Sequence, residues 1–347
     1  MPVLFFTGYP GFLGSELLPR LLQRFPDTTA LCLVQPKFAA MARERARPLG
    51  ERVRFVEGDI TRRIDADPSG VTRILHLAAL YDLSLPRRLG LQINVEGTAN
   101  VLDFAERCRS LQRLHYVSTC YVSGRHDGLF REQDLDAGQR FNNFYEETKF
   151  LAEVAVRQRS GIPWTTYRPS VVVGDSVTGA TQKFDGPYFV MRWLLRQPRL
   201  AVLPVVGNPR RCRFNVVPRD FIVDALEQLV AHPDVPGLTY QLADPQPLTV
   251  DETIRAIAQA TGRTIVRLPL PLRVAKFSID HLPGVRRLMG IPSAAVDYFV
   301  QPTTYDTTNA QAALMPAGIK VPPFAGYLPR LVEFALAHPE IGSAAMA

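Results

Sequence analysis

A chain of 347 residues with 46% hydrophobic and 21% charged residues is long enough for one large core and a second lobe, and its composition excludes wholesale disorder. The net charge of +7 rests on arginines scattered in pairs such as Arg62-Arg63, Arg87-Arg88 and Arg210-Arg211, without the one-faced concentration and aromatic interleaving of a nucleic-acid groove. Cys32, Cys108, Cys120 and Cys212 form no CxxC or metal spacing and the six histidines do not cluster, so buried reduced thiols, a cytoplasmic protein and no metal site are expected.

Residues 3–6 (VLFF) form a continuous apolar run, the pattern of a strand buried on both faces of a parallel sheet. A strand starting this early leaves no room for a signal peptide, and no apolar run approaches the roughly 18 residues of a membrane span. After the glycines of TGYPGFLG, Leu13, Leu17, Leu18, Leu21, Leu22 and Phe25 recur at helical spacing, with Pro19 expected to kink that helix. Strands are predicted at 30–34, 53–59, 73–79, 114–118 and 164–168, and helices at about 91–108 and 145–160. This alternation predicts an α/β fold, a doubly wound parallel sheet of the Rossmann type. Beyond residue 178 the pattern loosens. Residues 1–177 read as the nucleotide-binding domain, 205–240 as a return to the core, and the rest of 178–347 as a smaller substrate-capping lobe with C-terminal helices.

Gly8, Gly11 and Gly14 lie between the first strand and the first helix. That context marks a dinucleotide site: the first glycine makes a tight turn, the second admits the pyrophosphate and the third allows close helix–strand packing at a helix N-terminus. Tyr9 and Pro10 are expected on the outer edge of the loop, with Tyr9 either covering the ribose or diphosphate or making no ligand contact. At the end of the second strand, Gln35 stands where an NAD enzyme carries an acid, and Lys37, Arg43 and Arg45 follow. No acid is available there to repel a 2′-phosphate, so NADP(H) is favoured, with NAD the alternative.

Tyr145 and Lys149 share one face of a predicted helix. An ammonium beside a phenol favours the phenolate, which predicts a lowered tyrosine pKa and a general acid/base near neutral pH. Upstream, YVSTCYVSG places hydroxyls at the carboxyl edge of the sheet, and Asn94 lies in INVEGT.

The motifs TGYPGFLG, GDI, HLAA, INVEGT, YVST, YEETK and YRPSVVVG occur in the order and spacing of the extended short-chain dehydrogenase/reductases, which the first 180 residues or so resemble. Within that superfamily, HLAALYDL, YEETKFLAE, RPSVVVGDSVTG and the late YDTTNA resemble the thioester-reductase and fatty acyl-CoA reductase branch, the male-sterility type. The resemblance implies Thr119 as the catalytic hydroxyl, counted back from Val122, Ser123 and Gly124, with Ser118 beside it. It implies Tyr145 as acid/base, Lys149 as its partner and ribose ligand, and Asn94 as a supporting residue. Thr7, Phe12 and Leu13 would complete the glycine loop. Asp59 and Ile60 would lie by the adenine, Leu77, Ala78 and Ala79 by the ribose, and Pro169, Ser170 and Val171 by the nicotinamide. Members with clear NADP preference usually show Arg where this chain has Gln35, and no fused adenylation or carrier domain is present in this sequence.

Tyr81, Ser118, Thr119 and Tyr188 are expected to line the substrate cleft, with Lys183, Asp185 and Gly186 at its border. His76 reads as core, Arg168 as a structural ion-pair partner, and Glu146 and Glu147 as solvent-facing or capping residues. The stretch 268–291 reads as an ordinary packed cap rather than an acyl-chain site. The expected activity is NADP(H)-dependent hydride transfer to a carbonyl, best a fatty acyl thioester on CoA or a carrier, giving an aldehyde and in a second round an alcohol. The alternatives are a ketone or hydroxysteroid-type dehydrogenase, a nucleotide-sugar epimerase, or a non-catalytic NADP-sensing protein. The partner is a small-molecule carbonyl or acyl thioester, with neither nucleic acid nor an integral membrane segment. The superfamily often dimerises through its two long core helices, so a homodimer is one open outcome.

Overall fold

The computed structural model describes residues 1–233, 236–282 and 292–342. Its centre is a seven-stranded sheet of order β3-β2-β1-β4-β5-β7-β11, all six neighbouring pairs parallel. The strands are β1 (Val3–Thr7), β2 (Thr29–Val34), β3 (Val53–Glu57), β4 (Val71–His76), β5 (Arg113–Val117), β7 (Trp164–Pro169) and β11 (Thr239–Leu242). Because every strand runs the same way, their carboxyl ends share one edge, where open α/β sheets bind ligands. The order reverses between β1 and β4, beside the glycine loop.

Helices cover both faces. On one side α1 (Gly14–Arg24) packs against α7 (Arg219–Val230), and α2 (Ala39–Ala46) joins the same core. The Leu17, Leu18, Leu21 and Leu22 stripe is buried there, and α1 runs unbroken through Pro19. On the other side α4 (Gly97–Arg107) packs against α5 (Phe144–Gln158). Between them, α3 (Arg87–Gly90) leads into a π-helical stretch, Leu91–Glu96, that continues directly into α4. Asn143 caps α5 by accepting a hydrogen bond from Glu146 N at 3.0 Å.

The predicted strands are all present, with ends shifted. The fourth stops at His76, leaving Leu77, Ala78 and Ala79 in the loop that follows. β11 was not expected: its four residues, TYQL, carry no periodic signal, and pairing with β7 places all four in the core.

Outside the sheet, three short parallel pairs join distant segments. β6 (Gly128–Phe130) pairs with β13 (Thr303–Tyr305), β8 (Val171–Val173) with β10 (Val216–Pro218), and β9 (Leu200–Val206) with β12 (Thr264–Leu270). The helices α6 (Pro187–Leu195), α8 (Val250–Ala260) and Phe324–Ala337 enclose a second apolar cluster, with α9 (Leu272–His281) at its margin. Of the stretch 268–291, residues 283–291 lie outside the described residues; α9 packs Ala275 and Ile279 inward and leaves Phe277 exposed. Among the described residues no helix is long and apolar enough to cross a membrane. All four cysteines are buried.

Candidate active site

The glycine loop forms a tight cradle. A Cβ at Gly8, whose φ is +92°, would meet Ala78 N and Leu77 Cβ at 2.9 Å, and one at Gly14 would stand 2.5 Å from Gly8 O. The loop therefore nests against the β4 loop while α1 starts hard against it, as the glycine spacing predicts. Thr7 Oγ1 accepts from Ala78 N at 3.2 Å and fixes the two loops together. Phe12 lies beneath the Arg219 guanidinium, 5.4 Å from its ring centroid, and Leu13 packs on the apolar core.

Tyr9 departs from expectation. It is buried, stacks on Phe55 of β3 at 6.2 Å, and burial pushes its phenol up to about 12. It is a core anchor of the loop, not an outer-edge residue, because Phe55 and the apolar side of β2 leave a slot for an aromatic ring. Pro10 is buried beside it, and Pro10 O accepts from Ser15 Oγ at 2.8 Å and from Arg45 Nη1 at 2.7 Å. Gln35 Nε2 donates to Asp59 Oδ2 at 2.6 Å, and Arg43 pairs with Glu57 at 2.5 Å. Acids therefore do stand at this edge. They come from β3 and the loop after it, which strand pairing brings beside β2 and which spacing along the chain did not reveal. Lys37 is exposed, over the Phe38 ring. Ile60 is buried under Gly97 of α4.

At the ends of β5 and β7 the expected catalytic groups converge. The Thr119 hydroxyl donates to Pro169 O at 3.4 Å and accepts from Tyr121 N at 3.3 Å, close enough to the Tyr145 phenol to act on its ionisation. Burial raises the phenol above its ordinary value; the Thr119 hydroxyl pulls it back, and Glu146 and Asp185 add to the rise. Lys149 Nζ donates to Tyr116 Oη at 2.9 Å and Val117 O at 2.8 Å. Burial draws its ammonium down to about 7, and Glu153 opposes the fall. The expected lowering of Tyr145 by Lys149 is thus not found: burial dominates the phenol, and two of the lysine's three N–H donors go to β5. Ser170, beside Pro169 and Val171, holds a buried hydroxyl with no hydrogen-bond partner.

Asn94 sits in the π-helical stretch and holds three groups. Its Oδ1 accepts from Leu80 N at 2.8 Å, and its Nδ2 donates to Leu80 O at 3.2 Å and Thr148 Oγ1 at 3.1 Å. It joins the loop after β4 to the helix bearing Tyr145 and Lys149. Beneath it, Thr98 Oγ1 gives its proton to Asn94 O, so His76 donates Nε2–H to Thr98 and accepts from Thr7 at Nδ1. His76 is core, as expected, and burial keeps it neutral by drawing it down to about 3.

Tyr81 meets Tyr145 edge-on, ring centroids 4.9 Å apart, under Lys183 Nζ at 4.1 Å, and Lys183 pairs with Asp185 at 3.3 Å. Two expected cleft residues are turned away. Ser118 Oγ donates to buried Glu153 at 2.6 Å, because the extended backbone alternates it away from Thr119. Tyr188 is fully buried in the cap, its hydroxyl accepting from Gly174 N at 3.1 Å. Glu147 pairs with Arg87 at the surface, whereas Glu146 is buried and accepts from Asn142 N at 2.8 Å. Tyr116 and Glu153 escaped the sequence reading. A tyrosine in a strand reads as core, and a glutamate four residues after a lysine reads as a surface helix pair.

Residues 6–226 match the family model described as male sterility protein, an NAD-binding domain covering more than half of the chain. The chain belongs to that family. It is an NAD(P)-binding oxidoreductase of the extended short-chain dehydrogenase/reductase class. Among relatives, an aldehyde reductase (lnbA) of Aspergillus flavus is 25% identical over 92% of this chain and 33% of its own length. The large subunit of L-2-aminoadipate reductase of Penicillium chrysogenum is 24% identical over 91% of this chain and 23% of its own. The chain therefore spans a third or less of these two relatives. A crystal structure of the terminal R domain from the myxalamid PKS-NRPS biosynthetic pathway superposes with a TM-score of 0.83, at 25% identity, over 98% of this chain and 91% of that one. A 3-beta-hydroxysteroid dehydrogenase of Mycolicibacterium neoaurum is 26% identical over 75% of this chain and 70% of its own length.

Proposed function

We propose that this protein is an NADP(H)-dependent reductase of acyl thioesters, releasing an aldehyde. The observation that carries the reading is the convergence of Thr119, Tyr145 and Lys149 at the strand ends beside the glycine cradle. Residues 1–177 would hold the cofactor, and most of 178–347 would cover the substrate. The cradle of Gly8, Gly11 and Gly14, the α1 N-terminus and the unpartnered Ser170 hydroxyl suit a dinucleotide. Arg45 at the loop and the absence of an acid on Gln35's own strand end support NADP(H); Asp59, bonded to Gln35, supports NAD.

The bound nicotinamide would supply the hydride to the carbonyl carbon. Thr119 and Tyr145 would hydrogen-bond the carbonyl oxygen, and Tyr145 would give up its phenolic proton. A phenol raised by burial keeps that proton until negative charge develops next to it, which suits an acid. Lys149, one turn along the helix, would turn the N–H donor not used by β5 toward the phenolate left behind. With an acyl thioester the addition product is a hemithioacetal, whose C–S bond breaks to give aldehyde and thiol. Tyr81, edge-on to Tyr145, would border the acyl group, and Asn94 would keep the β4 loop registered on α5.

The test is NADPH oxidation by purified protein against long-chain acyl-CoA, free aldehydes and a ketone panel, repeated with NADH. Turnover of the thioester supports the reading, and its products show whether reduction continues to the alcohol. Turnover of ketones alone would move the protein to the hydroxysteroid-type reading that the Mycolicibacterium relative favours.

A further inference from the structure

Glu153 lies one helical turn beyond Lys149 on α5 and is fully buried. Ser118 Oγ, at the end of β5, donates to its Oε2 at 2.6 Å. Arg168 of β7, itself fully buried, donates Nη2 to Oε1 at 2.7 Å and Nε to both oxygens at 3.2 and 3.1 Å. Arg157, on the same helix, donates Nη2 to Oε1 at 2.8 Å. Arg168 also donates Nη1 to Glu132 O and Nη2 to Asp134 O. One carboxylate therefore joins β5, β7 and α5 directly under the catalytic groups.

A buried ion pair of this kind is often replaceable by apolar side chains without loss of stability, so stability alone does not account for it. Its position does. Ser118 immediately precedes Thr119, and only with Ser118 turned inward does the alternation of extended backbone aim Thr119 at Tyr145. We propose that Glu153 is a positioning residue for the reduction: its carboxylate fixes Ser118 so that Thr119 faces Tyr145, and, one helical turn from Lys149, it is that lysine's counter-charge.

The groups facing Lys149 are Tyr116 from β5, His76 from β4, and Tyr145 and Glu153 from its own helix. Both phenols are raised by burial and His76 is held neutral, so among the described residues Glu153 is the negative charge that acts on Lys149. Arg168 and Arg157 face Glu153 from the other side. Burial pushes the Glu153 carboxyl up, and the two guanidiniums outweigh it and hold it below the usual carboxylate range. It stays anionic throughout the working pH.

The inference rests on the reductase reading, so one readout must not depend on turnover. Lys149 is one of five lysines, and ¹³Cε-labelled lysine with Lys149→Arg for assignment gives its titration directly by NMR. In Glu153→Gln the Lys149 titration should fall to lower pH, with the alkaline limb of kcat moving alongside. Glu153→Asp should restore both. A folded Glu153→Gln protein with an unmoved Lys149 overturns the charge role, whether or not a substrate is known. Ser118→Ala keeps the carboxylate and both arginines, so it tests positioning even where Glu153→Gln fails to fold. It should lower kcat about tenfold with KM and the Lys149 titration unchanged, and an unchanged kcat overturns the positioning role.

Discussion

A methyl group on Gly14 would stand 2.5 Å from Gly8 O and 3.2 Å from the Phe6 ring, so Gly14→Ala must push the loop from its strand or the helix from the sheet. Overpacking of this kind costs about 1–3 kcal/mol. The expected outcome is a lower melting temperature together with weaker nucleotide binding by fluorescence titration. Tyr145→Phe should leave nucleotide binding intact and cut kcat by about 10²–10⁴-fold, the usual weight of a positioned general acid; full activity in that variant would remove Tyr145 from the mechanism. At this scale the sequence was readable where spacing dictates local geometry, as with the three close-packed glycines and the placing of Tyr145 and Lys149 on one helix. It was unreadable where the partner comes from another strand. Nothing near Gln35 in the chain announces Asp59, and nothing near Lys149 announces Tyr116.

The Leu91–Glu96 stretch carries Asn94 with its whole amide in use. Asn94→Ala would leave the Leu80 N–H and C=O without their partner in a half-buried site, at up to about 1–3 kcal/mol for an unsatisfied group. Thermal unfolding should show that loss, with kcat falling because α5 and the β4 loop no longer share a fixed register. At the start of α5, burial raises the Glu146 carboxyl to about 7, against about 4.5 when unfolded. Between those values the folded chain binds more protons than the unfolded one, so stability falls as pH rises through that window. Glu146→Gln removes this slope. The melting temperature of the variant minus that of the natural protein should climb from pH 4.5 to 7 and then level off; a flat difference would mean that Glu146 ionises normally in the folded state. Helices and the inner strands were legible because burial on one face or both leaves a period. The π-helical register and the four-residue β11 were not, since neither leaves one over so short a span.

Arg168→Leu would leave Glu153 buried without its main counter-charge, and breaking such a pair typically costs 3–5 kcal/mol. Because that carboxylate touches three elements, the loss should appear as a single cooperative shift of the whole unfolding curve in denaturant. The doubly wound sheet could be read from strand–helix alternation alone. The three peripheral pairs could not: each joins segments far apart in sequence, and β6 and β13 lie more than 170 positions from one another.

One buried group gives this topology a direction in time. Glu132 accepts from Gln241 N, Asn309 N and Ala310 N, the last two at the opening of the helix Thr308–Leu314. While the chain is being synthesised, the glutamate leaves the ribosome long before any of those donors exists. Until residue 310 emerges, Glu132 must stay hydrated or protonated, and the strand edge it secures stays unsealed. Closure of that edge in a growing chain therefore waits for the arrival of a segment 178 residues downstream.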